Sequence, residues 1–287
     1  MAEIPRLNGV ISALQQDKPA FVSFIAAEVG VAQAINAAPY DGVVFEMEHR
    51  PYDVRALRDC LQYMLDRRQI LRAGTLAPAV TPFVRIPPNG GETSQWVAKQ
   101  VLDQGVYGIV WPHVSTVEEA RNAVTACRYP RPRSAPYFEP AGQRGDAPAA
   151  AARYWGLSQQ EYYTRADVWP LNPQGELLLG LKLEDKYALE NADANAKVPG
   201  IGFAEWGPGD MAFSLGVKNP ARGPMPPLMQ AARSKVFAAT KASHIFFLNS
   251  MNADNIVDMI KEGVMIGPAS QQAAEIGRKY TKRTMPW

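Results

Sequence analysis

Eight short apolar, β-rich runs recur along this chain, separated by stretches with helical spacing. They are Ala20–Ile25, Gly42–Glu46, Ala79–Arg85, Gly108–Pro112, Leu177–Leu183, Gly200–Trp206, His244–Leu248 and Gly263–Ile266. Strands alternating with helices imply βα units and a parallel sheet. Eight such units fit a closed α/β barrel, a (β/α)₈ TIM barrel, better than an open doubly wound sheet. No Gly-x-Gly-x-x-Gly follows the first run, which argues against a dinucleotide-binding fold. A length of 287 residues suits one barrel spanning 1–287.

Helices are expected at Tyr52–Leu65, Thr93–Asp103, Thr116–Cys127, Glu184–Ala194, Asn252–Lys261 and Gln271–Lys282. Thr116 and Glu119 have the spacing of a capping box. The last helix either caps the barrel or crosses to another subunit. One region interrupts the rhythm, an insertion at about 131–175 that is rich in Pro, Tyr, Arg and Ala. A loop this long is functional or disordered. Its seven aromatic residues between Tyr137 and Trp169 favour an ordered excursion, expected in part to cover the active site. Gly223–Pro227 reads as another loop over the same rim.

The formal net charge is only +2, with the signs interspersed, so nucleic acid and anionic membranes are poor candidate partners. Two separated cysteines, Cys60 and Cys127, read as reduced thiols rather than a metal or redox motif. Neither a signal peptide nor an apolar run of about 18 residues is evident, and a cytoplasmic protein is expected.

Active sites of parallel barrels lie at the carboxyl ends of the strands. There the sequence places Glu46, Glu48 and His49, then Arg85, His113, Lys182 with Glu184, and Asp210. Glu184 and Asp210 each follow an apolar strand and together suit a hard divalent cation. The competing reading makes each an N-cap of the helix that follows. Arg85 suits a substrate carboxylate or an enolate oxygen; alternatively it is paired with Glu46 or Glu48. His49 is a candidate general base oriented by Glu46 or Glu48. His113 is a candidate pocket residue, and His244, at the opposite end, reads as structural. Lys182 shares a strand face with Glu184, either as its counter-charge or as a Schiff-base nucleophile.

Several segments, in order, carry a resemblance. They are FEMEH at 45–49, VRIP at 84–87, VLDQGVYGIVWPHVSTVEEAR, RYP at 128–130, QRG at 143–145, LEDKYALEN at 183–191, and GPGDM followed by FSLG at 207–216. Together they resemble the HpcH/HpaI aldolase and citrate lyase family, metal-dependent class II pyruvate aldolases of the 4-hydroxy-2-oxoheptanedioate aldolase type. That resemblance implies a barrel of the phosphoenolpyruvate/pyruvate superfamily and a divalent metal (Mg²⁺ or Mn²⁺, with Co²⁺ possible) on Glu184 and Asp210. It implies Arg85 as carboxylate anchor and His49 as acid/base supported by Glu46. Gly207, Pro208, Gly209, Lys182 and His113 would meet substrate. The expected partners are a small 2-oxo acid and an aldehyde. The expected assembly is a homo-oligomer, trimer or hexamer, with exchanged C-terminal helices.

Four departures stand out. Lys182 replaces a common glutamine, Glu46 a common aspartate, Trp111-Pro112-His113 a typical apolar strand end, and the long insertion resembles that of macrophomate synthase. The implied reaction is cleavage or formation of 4-hydroxy-2-oxo acids through a pyruvate enolate. Alternatives are oxaloacetate decarboxylation or macrophomate synthase-like chemistry through the same enolate, a Schiff-base aldolase on Lys182, and a non-catalytic acid-binding barrel.

Overall fold

The computed structural model describes residues 4–87, 93, 95–218 and 224–284. In chain order its elements begin with α1 (Gly9–Gln15), β1 (Ala20–Ile25), α2 (Val29–Ile35), β2 (Gly42–Glu46), α3 (Val54–Tyr63), α4 (Arg67–Ala73) and β3 (Thr81–Arg85). Next come α5 (Gln95–Leu102), β4 (Gly108–Trp111), α6 (Val117–Cys127), α7 (Ala149–Trp155), α8 (Gln159–Arg165), β5 (Val168–Trp169) and β6 (Leu177–Lys182). The chain continues with α9 (Lys186–Glu190), α10 (Ala192–Ala196), β7 (Phe203–Glu205), α11 (Pro208–Ser214) and α12 (Pro227–Ala242). It ends with β8 (Phe246–Leu248), α13 (Ile256–Glu262), β9 (Ile266–Pro268) and α14 (Gln271–Tyr280).

The sheet runs β4-β3-β2-β1-β9-β8-β7-β6, all parallel, and β4 pairs with β6 to close it into an eight-stranded barrel. Side chains alternate across each strand. Val22, Val44, Phe83, Val110, Leu178, Phe203, Leu248 and Ile266 therefore point inward and fill the bore. Val10, Ile11 and Leu14 of α1 join this cluster and plug the amino end. Gly180 has no side chain because the Phe203 ring takes that space; a Cβ there would lie 2.0 Å from it.

Most of the expected elements lie within two residues of their runs, and some depart further. Gly200 has φ +100 and makes a turn, so β7 starts only at Phe203. Gly263 has φ +104 and ends α13, so the last strand is Ile266–Pro268. The helix expected over Glu184–Ala194 breaks at Asn191 into α9 and α10. The capping box of α6 forms as expected between Thr116 and Glu119.

The insertion corrects one expectation: it does not roof the carboxyl end of its own barrel. Trp155 stacks on Tyr107, just ahead of β4, with ring centroids 4.3 Å apart, and its Nε1 donates to the Gly105 carbonyl at 2.7 Å. Arg165 donates to Glu176 at 2.5 Å and to the Ile4 carbonyl at 3.1 Å. The short β5 pairs with the start of β6, where β7 has not yet begun. The insertion thus packs on the amino ends of β4 and β6. Its aromatic side chains find apolar cover there, and composition alone could not tell which face they would choose.

Within its own chain, α14 packs on the barrel. Gly277 lies against Phe21, and Arg278 donates to Asp41 at 2.8 Å. Gly223 of the second proline-rich patch lies outside the described residues, and Pro227 begins α12.

Candidate active site

The inward alternation that fills the bore with apolar residues turns polar one step later. Two residues beyond Val44, Phe83, Gly180 and Phe203 come Glu46, Arg85, Lys182 and Glu205. Glu46 is in register with Arg85, and Lys182 with Glu205. Two residues further, Glu48 and Glu184 form the outer rim.

Arg85 bridges two of these acids. One Nη pairs with Glu46, and the other reaches Glu48 Oε2 at 3.0 Å. The guanidinium also lies over Phe24, 5.2 Å from the ring centroid. Glu46 serves a further purpose, accepting from the backbone N–H of Glu48 at 2.8 Å and of His49 at 3.2 Å. It shapes the turn after β2, and of the two carboxylates expected to orient His49 it is Glu48 that faces the imidazole. His49 Nε2 is instead 3.5 Å from Glu48 Oε2, on a side chain 62% exposed.

Glu184 is fully buried. The cap of α9 is its neighbour Asp185, which accepts from Tyr187 and Ala188, so Glu184 is spared that duty. Its Oε1 accepts from the His113 backbone N–H at 2.8 Å, and its Oε2 is 2.6 Å from Lys182 Nζ. His113 has φ +52, a conformation uncommon outside glycine, which turns its amide toward Glu184. Its Nε2 lies 3.3 Å from Glu48 Oε1. That hydrogen bond holds the His113 pKa above the usual histidine value, against a smaller opposing effect of burial. Burial raises the Glu184 pKa, although Lys182 opposes it. Burial pushes Glu48 the same way, yet His113, Lys182 and Arg85 together leave its pKa lowered.

Asp210 is the third residue of α11, whose N-cap is Gly207, so it is not the cap that the alternative reading made it. It is half-buried and its negative charge acts on His113, but it is not among the residues whose ligand atoms converge with Glu184. Gly207 has φ +49, and a Cβ there would lie 2.3 Å from Glu184 Oε2. Only glycine lets this turn approach the carboxylate so closely. Pro208 and Gly209 begin α11 and are exposed.

Ligand atoms of Glu48, His113 and Glu184 all lie within 4.8 Å of one another. Glu48 and His113 therefore join Glu184 as candidate cation ligands, a grouping that sequence reading did not make. Glu205 was missed as well. Its Oε2 is sealed from solvent and has no hydrogen-bond partner among the described residues, whereas the Oε2 atoms of Glu48 and Glu184 stand against Arg85 and Lys182. Counting inward from Phe203 by twos would have found it. Five carboxylates (Glu46, Glu48, Glu184, Glu205 and Asp210) stand against the two fixed cations Arg85 and Lys182. Oxygen-rich, negatively charged and partly unsatisfied, this donor set fits a hard divalent cation.

The family model for the HpcH/HpaI aldolase/citrate lyase group matches residues 22–275. The chain belongs to this family. A 2-keto-3-deoxy-L-rhamnonate aldolase of Salmonella typhimurium (strain LT2) is 33% identical over 215 residues, covering 74% of this chain and 68% of that protein. Among solved structures, a family protein from Burkholderia cenocepacia superposes with a TM-score of 0.72 at 24% identity, covering 96% of this chain and 97% of that one. Macrophomate synthase superposes with a TM-score of 0.68 at 22% identity, covering 98% and 89%. These two likenesses establish the barrel. The family and the names of its members indicate an aldolase or lyase.

Proposed function

We propose that this HpcH/HpaI family member is a class II pyruvate aldolase, cleaving or forming 4-hydroxy-2-oxo acids. The observation that carries this is the convergence of Glu48, His113 and Glu184 on one point at the barrel mouth, beside Arg85 and Lys182. Glu184 and Asp210 would hold Mg²⁺, Mn²⁺ or Co²⁺, with Glu48 and His113 as further candidates. Once bound, the cation supplies Lewis acidity that lowers the cost of negative charge on an enolate oxygen.

The chain's own residues do the rest. Arg85, fixed by Glu46 and Glu48, presents positive charge for the substrate carboxylate. Gly207, Pro208, Gly209, His113 and Lys182 line the space the substrate would enter. His49 takes the proton of the 4-hydroxyl. The C3–C4 bond then breaks, its electron pair passes into the pyruvate enolate, and an aldehyde leaves. Protonation at C3 yields pyruvate.

Lys182 reads as the counter-charge of Glu184 rather than as a Schiff-base nucleophile. Burial acts to lower its pKa, but Glu205 and Glu184 more than offset this, a direction that disfavours the free amine a Schiff base needs. One observation favours a second substrate, oxaloacetate. The His49 side chain is largely exposed, with Glu48 Oε2 3.5 Å from its Nε2, and decarboxylation needs no hydroxyl proton removed.

A homo-oligomer, trimer or hexamer, in the cytoplasm completes the proposal. Two buried free cysteines support a reducing setting, and no described helix is long and apolar enough to cross a membrane. The test is a screen of 4-hydroxy-2-oxo acids, 2-keto-3-deoxy sugar acids among them, and of oxaloacetate, reading pyruvate with and without chelator. Pyruvate release that stops on chelation and returns with Mg²⁺ or Mn²⁺ is expected. Release indifferent to chelation would refute the assignment.

A further inference from the structure

Lys182 and Glu205 face each other in register across β6 and β7, one step above the apolar filling of the bore. The Lys182 side chain is 4% exposed. Its Nζ stands 2.6 Å from Glu184 Oε2 and 3.9 Å from Glu48 Oε2. A divalent cation held by this cluster needs those carboxylates, and two positive charges cannot share one small volume. The ammonium must therefore have another place to go, because a buried lysine without a counter-charge is strongly disfavoured.

Glu205 offers that place. Its Oε2 is buried and lacks a hydrogen-bond partner among the described residues, an arrangement that calls for a reason. Glu205 and Glu184 both act on Lys182, yet only Glu184 forms an ion pair with it. A lysine ammonium on four rotatable carbons can swing between two such acceptors, as a rigid guanidinium could not.

We propose that Lys182 and Glu205 form a counter-ion switch for the cation site. The ammonium and a divalent cation compete for Glu184 Oε2, and Glu205 receives the ammonium when the cation wins. This rests on the cation reading given above and assigns Lys182 and Glu205 as positioning residues.

The switch predicts coupling between the two positions. Mn²⁺ affinity would be measured by electron paramagnetic resonance of free Mn²⁺ and by calorimetry on wild type, Glu205→Gln, Lys182→Gln and the double variant. Glu205→Gln alone is expected to weaken Mn²⁺ binding about tenfold or more, because the ammonium then stays on Glu184. Lys182→Gln is expected to tighten binding. In the Lys182→Gln background, Glu205→Gln should cost less than about threefold.

An equal loss in both backgrounds would mean that Glu205 acts only through its negative field, and would overturn the switch. So would wild-type affinity in Glu205→Gln. If wild type itself binds no Mn²⁺, the cation reading fails first and the switch with it. Lys182→Met repeats the cycle with an apolar side chain, and melting curves establish that folded proteins are being compared.

Discussion

Arg85 holds two carboxylates with two different nitrogens, a geometry that lysine cannot reproduce. Arg85→Lys should leave Glu46 or Glu48 without its partner and misplace the positive charge. A charge-assisted hydrogen bond is worth about 2 kcal/mol, so kcat/KM should fall roughly 30-fold while the fold is retained. Steady-state kinetics beside circular dichroism would show this, and unchanged kinetics would remove Arg85 from the site. At this scale the sequence was informative wherever a polar residue ended an apolar run, as with Glu46, Arg85, Lys182 and Glu184. It was less so in the turns. The contact of Glu48 and His113 depends on the positive φ of His113, which no motif announces. The capping by Asp185 and Gly207 also had to be seen before Glu184 and Asp210 could be freed from that role.

At the level of elements, the insertion is tied down by buried charge. Asp167, 1% exposed, pairs with Arg128 at 2.7 Å and Arg131 at 2.8 Å and accepts from Asn172 at 3.1 Å. Asp167→Ala would leave Arg128 buried and unpaired and should cost about 3–5 kcal/mol in urea unfolding. Because the insertion packs at the amino end, KM of the folded variant should not change; a raised KM would mean that the insertion reaches the mouth. On the outer wall, Arg233 of α12 grips Glu262 of α13 at 2.7 and 2.6 Å. Those hydrogen bonds hold the Glu262 carboxyl below its ordinary value of 4.5. The folded value therefore lies below the unfolded one. The contribution of the pair is whole above about pH 4.5 and is lost as pH falls through the folded value. With the Glu262 side chain 39% exposed, solvent screening limits it to about 1 kcal/mol or less. The stability gap between wild type and Glu262→Gln should be present near pH 7 and shrink near pH 3. A gap that ignores pH would contradict this. Helix starts with a side-chain cap were readable, as at Thr116, whereas glycine turns moved strand ends by several residues at Gly200 and Gly263.

Across the molecule, barrel closure was legible because eight alternating units leave few other ways to bury eight apolar strands. What the pattern could not convey was where the extra chain would pack, since aromatic residues need only some apolar surface, and the amino ends supplied it. The barrel concentrates its acids at one mouth, and the account stands on those acids acting through a divalent cation. Exchange of the pyruvate C3 protons in D₂O, followed by NMR, reads enolate formation without needing the aldehyde. Wild type should exchange with Mg²⁺ or Mn²⁺, stop on chelation and recover on re-addition, and Glu184→Gln should be slower by at least about a hundredfold. Exchange that persists through chelation, or that survives intact in Glu184→Gln, would contradict it.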